Sequence, residues 1–327
     1  MTTSIDVEQV PATFRLWIGG RPVEASNGTY EIVNPATEAV VGFAPEASAD
    51  DALEAAAAAS KAFGAWSQTT PEERSALLSR AADLFEQRYD ELIPLVQAET
   101  GSTMHMARTV QVPGAVTRLR RYARGALEPM EFALPPMPSG GPDARAGGII
   151  GASGARLPVG VVACITSYNV PLSNVVGKVG PALATGNTVV IKPAHQDPLG
   201  VIRLVEVLHE AGFPPGVVNL VVGSTPEPAR ALVASPDVDM VSFTGSTTMG
   251  LQIGEAAGRQ MKRVLFELGG KGASLVFDTA DLAAASAGTA NTFTFHADRS
   301  ARPRHGFSRS ARCTTRWWRS WRPLRTS

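Results

Sequence analysis

Val159-Gly160-Val161-Val162-Ala163-Cys164-Ile165-Thr166 opens a run in which apolar strands alternate with helical segments. It continues with LSNVVGKVGPALATG (172–186), NTVVIK (187–192), PLGVIRLVEVLHEAG (198–212) and GVVNLVV (216–222). PEPARALVAS (226–235), DMVSF (239–243), TTMGLQIGEAAGR (247–259) and KRVLFE (262–267) complete it. Uninterrupted apolar strands separated by helices of about ten to fifteen residues belong to a parallel sheet covered on both faces. The fold class is therefore α/β, with a Rossmann-like doubly wound parallel sheet.

Outward from that run, residues 15–45 alternate apolar with polar positions. They carry Gly-Gly, Asn-Gly and Asn-Pro turn signals, which predicts short antiparallel strands. Ser48 with Asp51, and Thr70-Pro71 with Glu73, are capping-box starts for helices over DALEAAAAASKAFGAW (51–66) and PEERSALLSRAADLFEQRYDELIPLV (71–96). A Pro/Gly-rich link from Pro135 to Pro142 precedes GGIIGASGARLP (147–158), which has the look of a hairpin over about 143–158. Downstream, the strand GASLVF (272–277) and an alanine-rich helix (278–295) begin what should be a second domain. The remainder has neither helical nor strand period. The expected division is a cofactor-binding domain over 1–266, the start of a second domain over 267–297, and an aberrant, disordered tail over 298–327.

A chain of 327 residues fits roughly two domains of about 150 residues. With 18% charged and 44% hydrophobic residues, and no apolar run near the roughly 20 residues that span a bilayer, a soluble protein with no membrane role is expected. The first residues lack the basic start and apolar stretch of a signal peptide, and two cysteines build no disulfide framework, so a cytoplasmic location is expected. The zero net charge averages two unlike regions: nine arginines against one acid from Asp298 onward, and 21 basic against 29 acidic residues before it.

Several segments carry candidate chemistry, although the chain has no G-x-G-x-x-G. Phe243-Thr244-Gly245-Ser246 follows a strand and opens a helix, where free backbone N–H groups and the helix dipole suit a pyrophosphate. An ordinary glycine and N-cap serine would look the same. Lys192 stands at the carboxyl end of a strand, where open parallel sheets bind ligands. Glu267 closes the strand KRVLF and leads into Leu268-Gly269-Gly270-Lys271, a setting that suits a general base. Asn169, after a buried strand, is placed to act as an oxyanion donor, or simply as a turn residue.

The order of these segments resembles the NAD(P)-dependent aldehyde dehydrogenase superfamily from about residue 15 to about 297. The resemblance rests on WIGG (17–20), VNPAT (33–37), PVGVVACITSYNVPL (158–172) and KVGPALATGNTVVIKPA (178–194). GFPPGVVNLVVG (212–223), VSFTGST (241–247) and FELGGK (266–271) extend it. It implies oxidation of an aldehyde to a carboxylic acid through a cysteine thioester, with NAD or NADP as cofactor. By the same resemblance Asn169 is the oxyanion-hole amide, Glu267 the general base, and Lys178 a lysine near the site. Ile165, Thr166, Lys192, Ala194, His195, Gly245, Ser246 and Leu268 are the cofactor-binding positions. No metal is implied, and full-length members are homo-oligomers.

Three departures stand out. Ser167-Tyr168-Asn169 replaces a common Pro-Trp-Asn. His195 replaces a glutamate frequent in NAD-preferring members, which leaves NADP admissible. Most consequentially, Thr294-Phe295-His296-Ala297 should continue as Gly-Gln-x-Cys, and the chain reads Asp298-Arg299-Ser300-Ala301. The nucleophile is missing; Cys164 is expected to be a core thiol, and Cys313 lies among arginines.

If Asp298–Ala301 were encoded GAC-AGG-TCT-GCN, the neighbouring frame would spell Gly-Gln-Val-Cys, with the cysteine in the place of Ala301. Each TGG of Trp317, Trp318 and Trp321 would then give an NTG triplet, and so an apolar residue at helical spacing. The tail is accordingly identified as a frameshift product and the chain as an inactive, truncated member without the family's homo-oligomer. The rival reading is a non-catalytic dinucleotide-binding fragment or an interaction protein with a basic tail. Arginines interleaved with aromatics in a one-sided tail are weak evidence, and no nucleic-acid partner is expected.

Overall fold

The computed structural model describes residues 14–139, 147–270, 272–277, 279–294 and 304–309. The chain begins with two antiparallel hairpins, β1 (Leu16–Ile18) with β2 (Arg21–Val23) and β3 (Thr29–Val33) with β4 (Val40–Pro45). Gly19 and Gly20 turn the first with positive φ, and a Cβ on Gly20 would lie 2.6 Å from Pro215 Cα, so only glycine fits there.

Helices α1 (Ala49–Trp66) and α2 (Pro71–Glu86) both start on complete capping boxes, Ser48 with Asp51 and Thr70 with Glu73. The run expected as one helix over 71–96 breaks at Gln87–Arg88, and α3 (Tyr89–Thr100) restarts beyond it. The short α4 (Met104–Met106) passes through a π turn at Ala107–Gln111 into α5 (Val112–Gly125).

The proline-rich link is a correction. Pro135, Pro136 and Pro138 lie within a strand, β5 (Glu131–Ser139), which pairs antiparallel with β6 (Gly148–Ala155); 147–158 is thus one arm of a larger hairpin. The register shifts between Leu134 and Met137, at the two adjacent prolines, and a two-stranded ribbon has outer edges that need no N–H donor.

The α/β run follows as β7 (Val161–Ile165), α6 (Pro171–Ala184), β8 (Thr188–Lys192), α7 (Leu199–Glu210) and β9 (Val218–Leu220). It then gives α8 (Glu227–Ala234), β10 (Met240–Gly245), α9 (Thr247–Gly258) and β11 (Arg263–Leu268). The sheet order is β11-β10-β7-β8-β9-β1-β2, parallel from β11 to β9 and antiparallel at the β1–β2 edge. Helices α6 and α7 cover one face, and α1, α8 and α9 the other. Strands β7, β8 and β9 proceed in one direction and β10 returns to the far side of β7. The topological switch point therefore lies between the carboxyl ends of β7 and β10, where such sheets open a ligand crevice.

Strand β11 carries this sheet through Leu268, two residues past the expected boundary at 266. Beyond it, β12 (Gly272–Val276) and α10 (Leu282–Thr294) begin the second unit. Within the segment expected to be disordered, β13 (Arg304–Arg309) forms a strand parallel to β12. A strand edge offers backbone donors and acceptors to any extended segment, whatever its side-chain period. The rest of the expected disordered tail, and with it Ala301 and Cys313, lies outside the described residues.

Candidate functional site

Four parallel strands deliver the candidate residues to the switch point. Ile165 ends β7, Lys192 ends β8, Gly245 ends β10, and Glu267 and Leu268 end β11. Glu267, expected to close its strand, is paired within β11 opposite Thr244, one residue before the strand's end, and is exposed. Asn169 stands in the loop between β7 and α6, and Ser246 is the N-cap of α9.

Lys192 is buried, and its Nζ donates to the carbonyls of Pro193 (3.2 Å) and Gly223 (2.9 Å). An ammonium carries three donors, so one remains. Burial pushes its pKa down to about 8, opposed by the nearby Glu46 carboxylate. Next to it, Thr166 N–H donates to the Lys192 carbonyl, and the buried Thr166 Oγ1 has no hydrogen-bond partner. Ala194 and His195 follow β8, with His195 exposed and its carbonyl accepting from Tyr30 Oη at 2.9 Å. Partial desolvation and the Lys192 charge lower the His195 pKa, so the ring is neutral at pH 7.

At the end of β10, a Cβ on Gly245 would lie 2.4 Å from Phe243 Cζ, which keeps that backbone bare. Ser246 Oγ accepts from Met249 N–H at 3.2 Å; the bond uses the oxygen's lone pair and leaves the hydroxyl proton to donate outward. The N-cap reading and the anion-binding reading of this serine are therefore compatible. An orphaned buried hydroxyl, a spare ammonium donor, bare glycine backbone and a helix N-terminus form a donor set that fits the phosphates and ribose of a dinucleotide.

The groups expected to touch the aldehyde separate into two depths. Asn169 Oδ1 accepts from Ser167 Oγ and Asn174 Nδ2, both at 2.9 Å, which directs the donor end of its amide away from them. Lys178 lies deeper: its buried Nζ meets Ser242 Oγ at 3.0 Å, between α6 and β10. Desolvation lowers its pKa, and the influence of Cys164 and Glu267 opposes that shift. Cys164, fully buried in β7, has its thiol pushed up to about 12 by burial, so it is inert core.

Sequence reasoning missed Glu46 and Tyr30, which the N-terminal hairpins bring to the end of β8. Glu46 is buried, and both its carboxylate oxygens accept from Ser224 N–H at 3.0 Å. A carboxylate directly after the apolar strand VVGFAP was the one available signal.

The aldehyde dehydrogenase family model matches residues 23–300. The chain belongs to this family. An aldehyde dehydrogenase of Alternaria alternata is 40% identical over 82% of this chain and 52% of its own length. The NADP/NAD-dependent aldehyde dehydrogenase of Escherichia coli is 39% identical over 84% and 55%. Among solved structures, an NAD-dependent aldehyde dehydrogenase from Sinorhizobium meliloti superposes with a TM-score of 0.86 at 34% identity, covering 95% of this chain and 61% of that one. The chain thus spans about half the length of the curated relatives it matches. Among the described residues of this aldehyde dehydrogenase family member, no helix is long and apolar enough to cross a membrane.

Proposed function

We propose that this chain carries the dinucleotide-binding apparatus of an NAD(P)-dependent aldehyde dehydrogenase but cannot itself complete aldehyde oxidation. The convergence of Lys192's third donor, the orphaned Thr166 hydroxyl and the N-terminus of α9 on one crevice carries this reading. Lys192 holds the adenosine ribose, with Ala194 and His195 beside it. Gly245 and Ser246 hold the pyrophosphate, and Ile165, Thr166 and Leu268 line the path toward the nicotinamide. Bound NAD or NADP would supply a hydride acceptor.

Toward the aldehyde, Asn169 donates to the carbonyl oxygen and Glu267 takes up a proton. Lys178 acts from below on the charge balance of both. The nucleophile belongs where Ala301 stands, and the family match ending at residue 300 supports a reading-frame change near 298. The rival reading, a dinucleotide-binding protein without catalysis, is favoured by one observation, the missing cysteine. The two differ only in whether the gene carries the restored frame, which resequencing codons 290–305 decides. A cytoplasmic location and an aldehyde as small-molecule ligand belong to the same proposal.

Fluorescence titration with NADH tests the binding step. Lys192→Ala should weaken affinity by about 1.5–3 kcal/mol, the range for a hydrogen bond from a charged donor. Unchanged affinity would place the cofactor elsewhere. Because Lys192 loses its charge as pH rises through about 8, wild-type affinity should fall above that pH, and the variant's should not. His195→Glu should shift preference toward NAD, since a carboxylate repels a 2′-phosphate and the neutral imidazole does not. Equal loss of NADH and NADPH binding would refute that assignment.

A further inference from the structure

A single peptide group links the end of the β3–β4 hairpin to Lys192. The Gly223 carbonyl accepts from Lys192 Nζ at 2.9 Å, and the N–H of the same peptide, on Ser224, donates to both carboxylate oxygens of Glu46 at 3.0 Å. In a trans peptide the C=O and the N–H point in opposite directions, so the ammonium and the carboxylate lie on opposite sides of one polarisable unit. Glycine admits this approach: a Cβ on Gly223 would lie 3.3 Å from Glu46 Oε1 and 3.3 Å from Pro228 Cγ. The Glu46 backbone is itself fixed. Its N–H donates to the Gly28 carbonyl at 2.8 Å, its carbonyl accepts from Asn27 N–H at 3.1 Å, and Ala47 N–H donates to the Val222 carbonyl at 2.8 Å. Three backbone bonds therefore carry a buried carboxylate to the turn that holds Lys192.

The usefulness of Lys192 turns on its third proton. An ammonium has three N–H donors, and the Pro193 and Gly223 carbonyls take two of them. A neutral amine has only two, both already used, and would turn a lone pair toward the crevice. Loss of one proton thus removes the donor left for a ribose hydroxyl. Burial drives toward that loss, and the Glu46 charge opposes it. The peptide between them adds to the effect, because a carboxylate that polarises the Ser224 N–H makes the Gly223 carbonyl a stronger acceptor for the ammonium.

We propose that Glu46 is a positioning residue that keeps the third proton on Lys192, and so its ribose-directed donor, acting through the Gly223–Ser224 peptide. This rests on the reading of Lys192 as the ribose ligand. The other titratable groups around this end of β8 do not replace Glu46. The His195 ring is neutral at pH 7, and the Tyr30 hydroxyl, its pKa raised by burial and by Glu46, Glu99 and Asp197, stays protonated. Glu99, pushed up to about 8 by burial, ionises alike whichever residue stands at 46, so it cancels from a ratio of variant to wild type.

Glu46→Gln isolates the charge, since its amide oxygen still accepts from Ser224 N–H. NADH titrations from about pH 7 to about pH 9.5 would be paired with the 13Cε resonance of Lys192, assigned through Lys192→Ala, which reads protonation without cofactor. Glu46→Gln should lower the pH at which Lys192 deprotonates by about one unit. Its NADH affinity should then be about twofold weaker than wild type at pH 7, widening to about fivefold or more at pH 8 and above. Glu46→Asp, which keeps the charge, should hold the Lys192 titration near that of wild type. A Lys192 resonance unmoved by Glu46→Gln, an affinity loss equal at pH 7 and pH 9, or a shift as large in Glu46→Asp would overturn the proposal. Unchanged NADH affinity in Lys192→Ala would instead strike the ribose reading, and the resonance would still decide whether Glu46 holds the proton.

Discussion

Protein of this sequence should produce no steady NADH or NADPH from any aldehyde. Hydride leaves an aldehyde carbon in this chemistry only after a thiolate has added to it, and the chain offers no competent thiolate there. Cys164 is fully buried in β7 with its thiol pushed up to about 12, and Ala301 stands where the motif calls for cysteine. Asn169, in the loop after β7, and Glu267, in β11, remain as the proposed donor and base, but such groups accomplish little without a nucleophile. Removing a nucleophile that works as part of a unit costs about 10⁶-fold in rate. A coupled assay on purified protein of confirmed intact mass is the measurement. Turnover that Glu267→Gln abolishes would sink the proposal, since the activity would then come from this site. A gene with the reading frame restored from codon 298 should recover turnover while binding the same dinucleotide with similar affinity.

How much of this was legible beforehand follows from where the information resides. The capping boxes at Ser48 and Thr70 and the apolar strands VVACI and TVVIK are local patterns, and each formed the element its pattern dictates. Lys192, Gly245 and Ser246 were readable because strand ends and helix starts place side chains without reference to anything remote. The β5–β6 ribbon was not, since proline ordinarily excludes a strand and only an edge at an irregular register admits it. Glu46 and Tyr30 reach Lys192 and His195 across about 150 residues of chain, a contact that tertiary folding makes and no local spacing encodes. The packing of α5 on α6 was likewise invisible: Gly177 and Arg118 meet only once the two helices lie side by side.

Uncovered apolar surface should make the protein self-associate without a defined stoichiometry. On β11 and the elements beside it, Leu265 is 46% exposed, Leu251 71% and Met261 91%, with Val264 and Leu268 also open to solvent. The β5–β6 ribbon adds Phe132, Leu134, Met137, Ile149 and Ile150, exposed along both strands. Single exposed apolar side chains are ordinary, but contiguous patches of this kind mark surfaces that bury against something else. Edge strand β11 compounds the hazard, because among the described residues its outer backbone groups have no ladder partner in the sheet and invite pairing with another chain. Sedimentation velocity at rising protein concentration should therefore show a broad, concentration-dependent distribution rather than a dimer or tetramer. Leu265→Lys with Val264→Thr should raise the soluble fraction several-fold by placing a charge on that edge. A single sharp boundary at dimer or tetramer mass, unmoved by those substitutions, would show that the apolar surfaces are specific interfaces already satisfied by this chain.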